Sequence, residues 1–176
     1  MRDGELDVER PVDELCEQIV ADHHAFLYRA LPALVEDLGR LADDDGGASM
    51  LAETRAAVAD LAEQLKGHLS KEEHVLFPAL VALAQAEREG GGRPALPFPT
   101  VLHPIRMMET EHARIDATMG RLRALTHEFA PPDDASAAWR RCLAQLSELD
   151  ADLREHHRKE NEVLFPQALE LERRLR

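Results

Sequence analysis

Aromatic residues are scarce in this chain of 176 residues, which has one tryptophan, one tyrosine and five phenylalanines. Ala, Leu, Glu and Arg dominate instead, a mixture that favours helices. Cysteine is nearly absent. Cys16 and Cys142 stand alone with no Cys-x-x-Cys motif, so a thiolate cluster is not on offer and both read as reduced core thiols of a cytoplasmic protein. No apolar run reaches spanning length, and the stretch from Met1 to Arg10 is too charged for a signal peptide. Basic residues fall short: 21 against 34 acids leave a formal net charge of −13 with His neutral. That excess argues against nucleic acid and an anionic membrane surface as partners. One domain over residues 1–176 is the simplest organisation for this length.

Four helical stretches can be read along the chain, after a polar and frayed start over residues 1–10. The first opens near Pro11 to Asp13, and its apolar stripe is Leu15, Ile19, His24, Leu27, Leu31, Leu34 and Leu38. Pro32 should kink it, and Asp43-Asp-Asp-Gly-Gly47 ends it. The second runs from about Ser49 to about Glu87. Its stripe is Val58, Leu61, Leu65, His68, Glu72, Val75, Leu76, Ala79 and Leu83, with Pro78 bending the last turns. A loop over residues 90–99, rich in Gly and Pro, is the expected hinge. The third helix begins near Thr100 or Pro104 and runs to about His127, with Ile105, Met108, His112, Ile115, Met119 and Leu122 on one face. Pro131-Pro132 breaks the chain again. The fourth runs from about Ala135 to about Arg174, with Leu143, Leu146, Leu149, Leu153, His156, Glu160, Leu164 and Ala168 inside.

Each half carries one His-x-x-x-Glu motif followed by Val-Leu-Phe-Pro: His68 to Pro78, and His156 to Pro166. Residues four apart share a helical face, so His68 sits over Glu72 and His156 over Glu160. The offset between halves is 88 residues at four positions: His24 to His112, His68 to His156, Glu72 to Glu160 and Pro78 to Pro166. A constant offset indicates a duplicated helix hairpin, with halves at about 11–89 and 99–176. Two such hairpins make an all-α, antiparallel four-helix bundle. Two carboxylates and four imidazoles would then converge in an apolar core, with no Lys or Arg on the same stripes to compensate. A pair of divalent cations removes the penalty of burying them. Imidazole with carboxylate suits iron, zinc or manganese.

With His24, the Arg29-x-Leu-Pro32 after it, Glu109-Thr-Glu-His112 and the two long motifs, the chain resembles the hemerythrin-like domain family over about residues 12–170. Within that family it looks most like the bacterial di-iron proteins that repair iron–sulfur centres after nitrosative or oxidative damage. The resemblance implies a bridged non-haem pair of iron ions held by His24, His68, Glu72, His112, His156 and Glu160, with both glutamates bridging. It further implies a diatomic or peroxide ligand and an iron–sulfur protein client. The repair branch carries a further ligand His where this chain has Asp43-Asp44-Asp45, and often a small N-terminal domain with a Cys pair. Oxygen-carrying relatives use a His-x-x-x-His pair, and here Asp116 stands four residues after His112.

Other residues are candidates for supporting roles. Asp116 and Asp45 are candidate further ligands or acceptors for an imidazole N–H. Tyr28, one turn from His24, is a packed boundary aromatic or a donor to a bound oxygen species. Either Glu109 or Glu111, flanking His112, is expected to support an imidazole. His23, His74, His103, His127 and His157 fall off the stripes or in loops and are expected to face solvent, whereas Phe77, Trp139 and Phe165 are core. Three functions fit: a cytoplasmic di-iron protein of stress response or iron-centre repair, an oxygen or nitric oxide sensor without turnover, or a zinc-bound or metal-free bundle. A monomer or a dimer fits each of them, and whether any turnover occurs is left open.

Overall fold

Four helical rods, three of them interrupted by a single π turn, make up the computed structural model, which describes residues 10–42 and 48–176. Asp45 and the rest of residues 43–47, like residues 1–9, lie outside that range. The first rod is α1 (Val12–Ile19), a π turn at Val20–His24, and α2 (Ala25–Arg40). The second is α3 (Ala48–Lys71), a π turn at Glu72–Leu76, and α4 (Phe77–Arg88). The third is α5 (Leu102–Leu125), and the fourth is α6 (Ala137–Lys159), a π turn at Glu160–Leu164, and α7 (Phe165–Arg174).

Two of the three π turns follow the repeat, whereas the one at Val20–His24 has no counterpart in α5, which runs unbroken. Phe77 N–H donates to the carbonyl of Glu72, and Phe165 N–H to that of Glu160. Each wide turn ends just before a proline, Pro78 or Pro166, near the start of the next α segment. A proline inside a helix has no N–H to give and its ring crowds the carbonyl four residues back. The bend expected at Pro78 is thus met by a widened turn on its ligand side, and Pro166 repeats the arrangement. Pro32 lies within α2, faces solvent, and does not break the helix. The N-terminus of α6 is capped by Ser136, whose hydroxyl accepts from Trp139 N–H at 3.1 Å.

Packing of α1 on α4, α2 on α3 and α6, α3 on α5, and α4 on α7 builds the bundle. Two apolar clusters fill it. One contains Leu34, Leu61, Leu65, Met119, Trp139 and Leu146. The other contains Leu15, Ile19, Leu80, Ile105, Phe165 and Leu171. Successive rods enter these clusters in opposite order, which makes the bundle antiparallel. Between the clusters lies a layer of buried histidine and glutamate. The stripes read from the sequence are buried with one exception: Val75 is 43% exposed. It lies inside the π turn, where the extra residue rotates the chain out of the stripe's phase.

The loop expected to act as a hinge is fastened instead. Arg93 Nε donates to the buried carboxylate of Glu172 at 2.9 Å, and its Nη2 donates to the carbonyl of Pro99 at 2.9 Å. Thr100 Oγ donates to the same carboxylate at 2.6 Å. No helix among the described residues is long and apolar enough to cross a membrane.

Candidate metal centre

The six side chains singled out by the repeat come from all four rods and meet in the polar layer. His24, His68, Glu72, His112, His156 and Glu160 are each no more than 1% exposed. Their ligand atoms form two overlapping groups. His24 and His156 converge with Glu72 and Glu160, and His68 and His112 converge with the same two glutamates. Both carboxylates are therefore shared. Glu72 Oε2 lies 3.4 Å from His24 Nε2, while its Oε1 lies 3.3 Å from His68 Nε2. Glu160 Oε2 lies 3.0 Å from His112 Nε2, and its Oε1 3.3 Å from His156 Nε2.

The protein alone leaves these groups unsatisfied. Both carboxylate oxygens of Glu72 and of Glu160, and the Nε2 atoms of His24 and His156, are buried without a hydrogen-bond partner. Native interiors rarely tolerate this, because an unpaired buried polar atom costs about 1–3 kcal/mol. His68 and His112 add a second sign. His68 Nδ1 lies 3.2 Å from the Glu111 carboxylate, so Nδ1 is its donor and Nε2 carries the lone pair. That Nε2 faces the Nε2 of His112 at 3.1 Å. A cation between the two nitrogens would relieve the contact, and the donor set of imidazole and carboxylate fits iron, zinc or manganese.

Electrostatics keeps the imidazoles ready to ligate. Burial, and then the charge of His112, push His68 down to about 3. Burial pushes His156 down to about 4 and also lowers His24. All three are neutral at physiological pH, as a ligating imidazole must be. Burial, and then the charge of Glu160, raise Glu72 well above the ordinary carboxylate range. Burial acts the same way on Glu160, but its imidazole neighbours, His156 first and then His112, outweigh burial and hold Glu160 well below that range.

Around the layer, acceptors orient three of the four imidazoles, while His156 Nδ1 has no hydrogen-bond partner. His24 Nδ1 donates to Glu73 at 2.8 Å, and Tyr28 OH reaches the same oxygen at 3.1 Å. Of the two flanking acids, Glu111 is the one that supports an imidazole, His68, and it is paired with Lys71 as well. Glu109 is exposed. His112 Nδ1 donates to Asn161 at 3.0 Å. Tyr28 is 49% exposed rather than packed, and its hydroxyl donates to Glu73. Asp116 is exposed, belongs to neither carboxylate-bearing group, and accepts from His157 at 2.9 Å.

Two expectations are corrected. His23 and His157 do not face solvent, being 6% and 4% exposed. His23 gives its Nδ1 to Asp152 at 2.8 Å and stacks on His156 at 5.4 Å. It precedes a stripe residue inside a π turn, where neighbouring positions can both turn inward. His157 follows His156 by one residue and turns toward the third rod, where it stacks on His112 at 4.1 Å. The signal available for both was adjacency to a ligand candidate. His74, His103 and His127 are exposed, as expected.

The hemerythrin HHE cation binding domain matches this chain over residues 15–95 and 103–175. The chain belongs to the hemerythrin HHE family. One matched range falls in each half of the HHE chain, and the two ranges begin at residues 15 and 103, one repeat length apart. Among curated proteins, it is 35% identical over 90% of its length to the iron-sulfur cluster repair protein YtfE of Edwardsiella ictaluri, covering 66% of that protein. It is 34% identical over 68% of its length to the iron-sulfur cluster repair protein DnrN of Neisseria gonorrhoeae, covering 68% of it. It is 30% identical over 90% of its length to YtfE of Salmonella paratyphi B, covering 67% of it. This HHE chain thus spans about two thirds of the length of the curated relatives it matches.

Proposed function

We propose that this HHE chain is a non-haem di-iron protein of oxidative or nitrosative stress response, engaged in restoring damaged iron–sulfur centres. The observation that carries the reading is the sharing of both glutamates between two buried imidazole pairs. Two cations side by side need bridging ligands, and Glu72 and Glu160 each approach imidazoles of both pairs or their immediate partners. Iron–sulfur repair is named for its relatives, and brings the client class with it.

Iron bound there would supply one-electron chemistry and open positions for a diatomic molecule or peroxide. The chain's own residues do the rest. His24 and His156 would hold one ion, His68 and His112 the other, and Glu72 and Glu160 both. Glu73, Glu111 and Asn161 fix His24, His68 and His112 with Nε2 turned inward. The apolar clusters above and below exclude water from the layer.

Elemental analysis and an absorption spectrum of protein purified anaerobically from iron-replete cells test the reading. About two irons per chain and a near-ultraviolet band that bleaches on reduction are expected, with both lost in the His68→Ala, His156→Ala double variant. Stoichiometric zinc inert to reductant, or no metal in the wild type, would overturn it.

A further inference from the structure

His157 belongs to neither the apolar stripe nor the duplicated motif, yet it is buried and tethered. Its Nδ1 lies 2.9 Å from a carboxylate oxygen of Asp116, so Nδ1 is the donor and the lone pair is left on Nε2. That Nε2 is buried and has no hydrogen-bond partner. The ring lies 4.1 Å from His112 and 6.3 Å from His68, centroid to centroid. A nitrogen of His68, one of His112 and one of His157 all fall within 4.8 Å of one another. His23 is the instructive contrast. It too is buried, gives Nδ1 to a carboxylate and leaves Nε2 unpaired. It joins no group of converging ligand atoms among the described residues.

We propose that His157 is a seventh ligand, completing the coordination of the ion held by His68 and His112. The inference rests on the di-metal reading above. An imidazole whose N–H is fixed by a carboxylate presents its other nitrogen in one orientation, which is the arrangement metal sites use. The 88-residue repeat gives the first half no counterpart, because the position before His157 by that offset is Leu69. The pair is therefore unequal: three imidazoles on one ion and two on the other.

Mössbauer spectra of the protein loaded with iron-57, together with metal retention against a competing chelator, test the assignment. Wild-type protein should hold two irons that give two distinct quadrupole doublets of equal area. His157→Phe keeps an aromatic ring against His112 but offers no nitrogen. It should lose one iron to chelator with affinity reduced at least about 100-fold, beyond the range typical of an orienting partner, and keep the other. Helicity and the melting midpoint of the metal-free variant control for folding. Should His157→Phe not fold, His157→Ala carries the same test. Two doublets and chelator resistance unchanged in the variant would overturn the proposal and leave His157 as a stacking residue. Wild-type protein holding fewer than two irons would instead overturn the di-metal reading itself.

Discussion

Asn161 accepts the Nδ1 hydrogen of His112 at 3.0 Å, and 88 residues earlier Glu73 accepts that of His24 at 2.8 Å. The repeat thus extends beyond the ligands to the groups that orient them, with one chemical change: an amide stands where the other half has a carboxylate. A carboxylate makes its imidazole a stronger donor to a cation than an amide does. Glu73→Gln should therefore weaken binding of one ion by about 10–100-fold, while Asn161→Asp should strengthen binding of the other. Competition with a chromophoric chelator measures both, and equal affinities in all three proteins would refute the expectation.

Glu72 illustrates a conflict between stability and binding. Its carboxyl is fully buried, lacks a hydrogen-bond partner, and is raised well above its ordinary pKa by burial and by Glu160. Glu72→Gln removes the charge without changing the volume. Metal-free protein carrying it should be more stable, because an unpaired neutral amide costs less to bury than an unpaired carboxylate. The same variant should bind fewer than two metals per chain. Calorimetry of metal-free protein and elemental analysis read the two effects separately; a destabilised variant would show that Glu72 is satisfied in a way the structure does not provide.

Acid should unfold the metal-free protein through its imidazoles. An unfolded histidine takes up its proton near pH 6.5, whereas His156 resists until about 4 and His68 until about 3. Protons therefore bind the unfolded state first, and stability present above pH 6.5 is lost as pH falls toward about 3. Glu72, shifted upward, acts in the opposite sense and makes the decline shallower. Melting midpoints across that window should fall with acidification, and a flat profile would contradict the buried neutral imidazoles.

Phe165 links the core to the site. It is 1% exposed, and its ring lies nearly parallel to that of His112 at 6.0 Å. Phe165→Ala should cost about 3–5 kcal/mol in urea unfolding of the metal-free protein. It should also weaken metal binding, because His112 loses one wall. Full metal affinity at reduced stability would separate the two roles.

Much of this was legible before any coordinates. The offset of 88 residues required only counting, and it led to the four rods, the six inward side chains and the shared carboxylates. What stayed hidden came from the π turns. Helical phase is read by assuming a constant advance per residue, and a widened turn at Val20–His24, Glu72–Leu76 or Glu160–Leu164 breaks it. Val75 was placed inside and is outside; His23 was placed outside and is inside. His157 was missed for another reason. A rod in a bundle has two neighbours, so a residue next to the stripe can face the second one. The tethering of the Gly- and Pro-rich loop by Arg93 to Glu172 depends on a contact 79 residues away, which composition does not encode.

The apolar clusters on either side of the histidine layer act as stoppers at both ends of the barrel of rods. Traffic along the long axis is therefore closed, and loading, release and access by small molecules must run sideways between neighbouring rods. The cleft lined by Asp116, Met119, Arg123, Leu153, His157 and Asn161 is such a side door, opening from solvent directly onto a histidine of the layer.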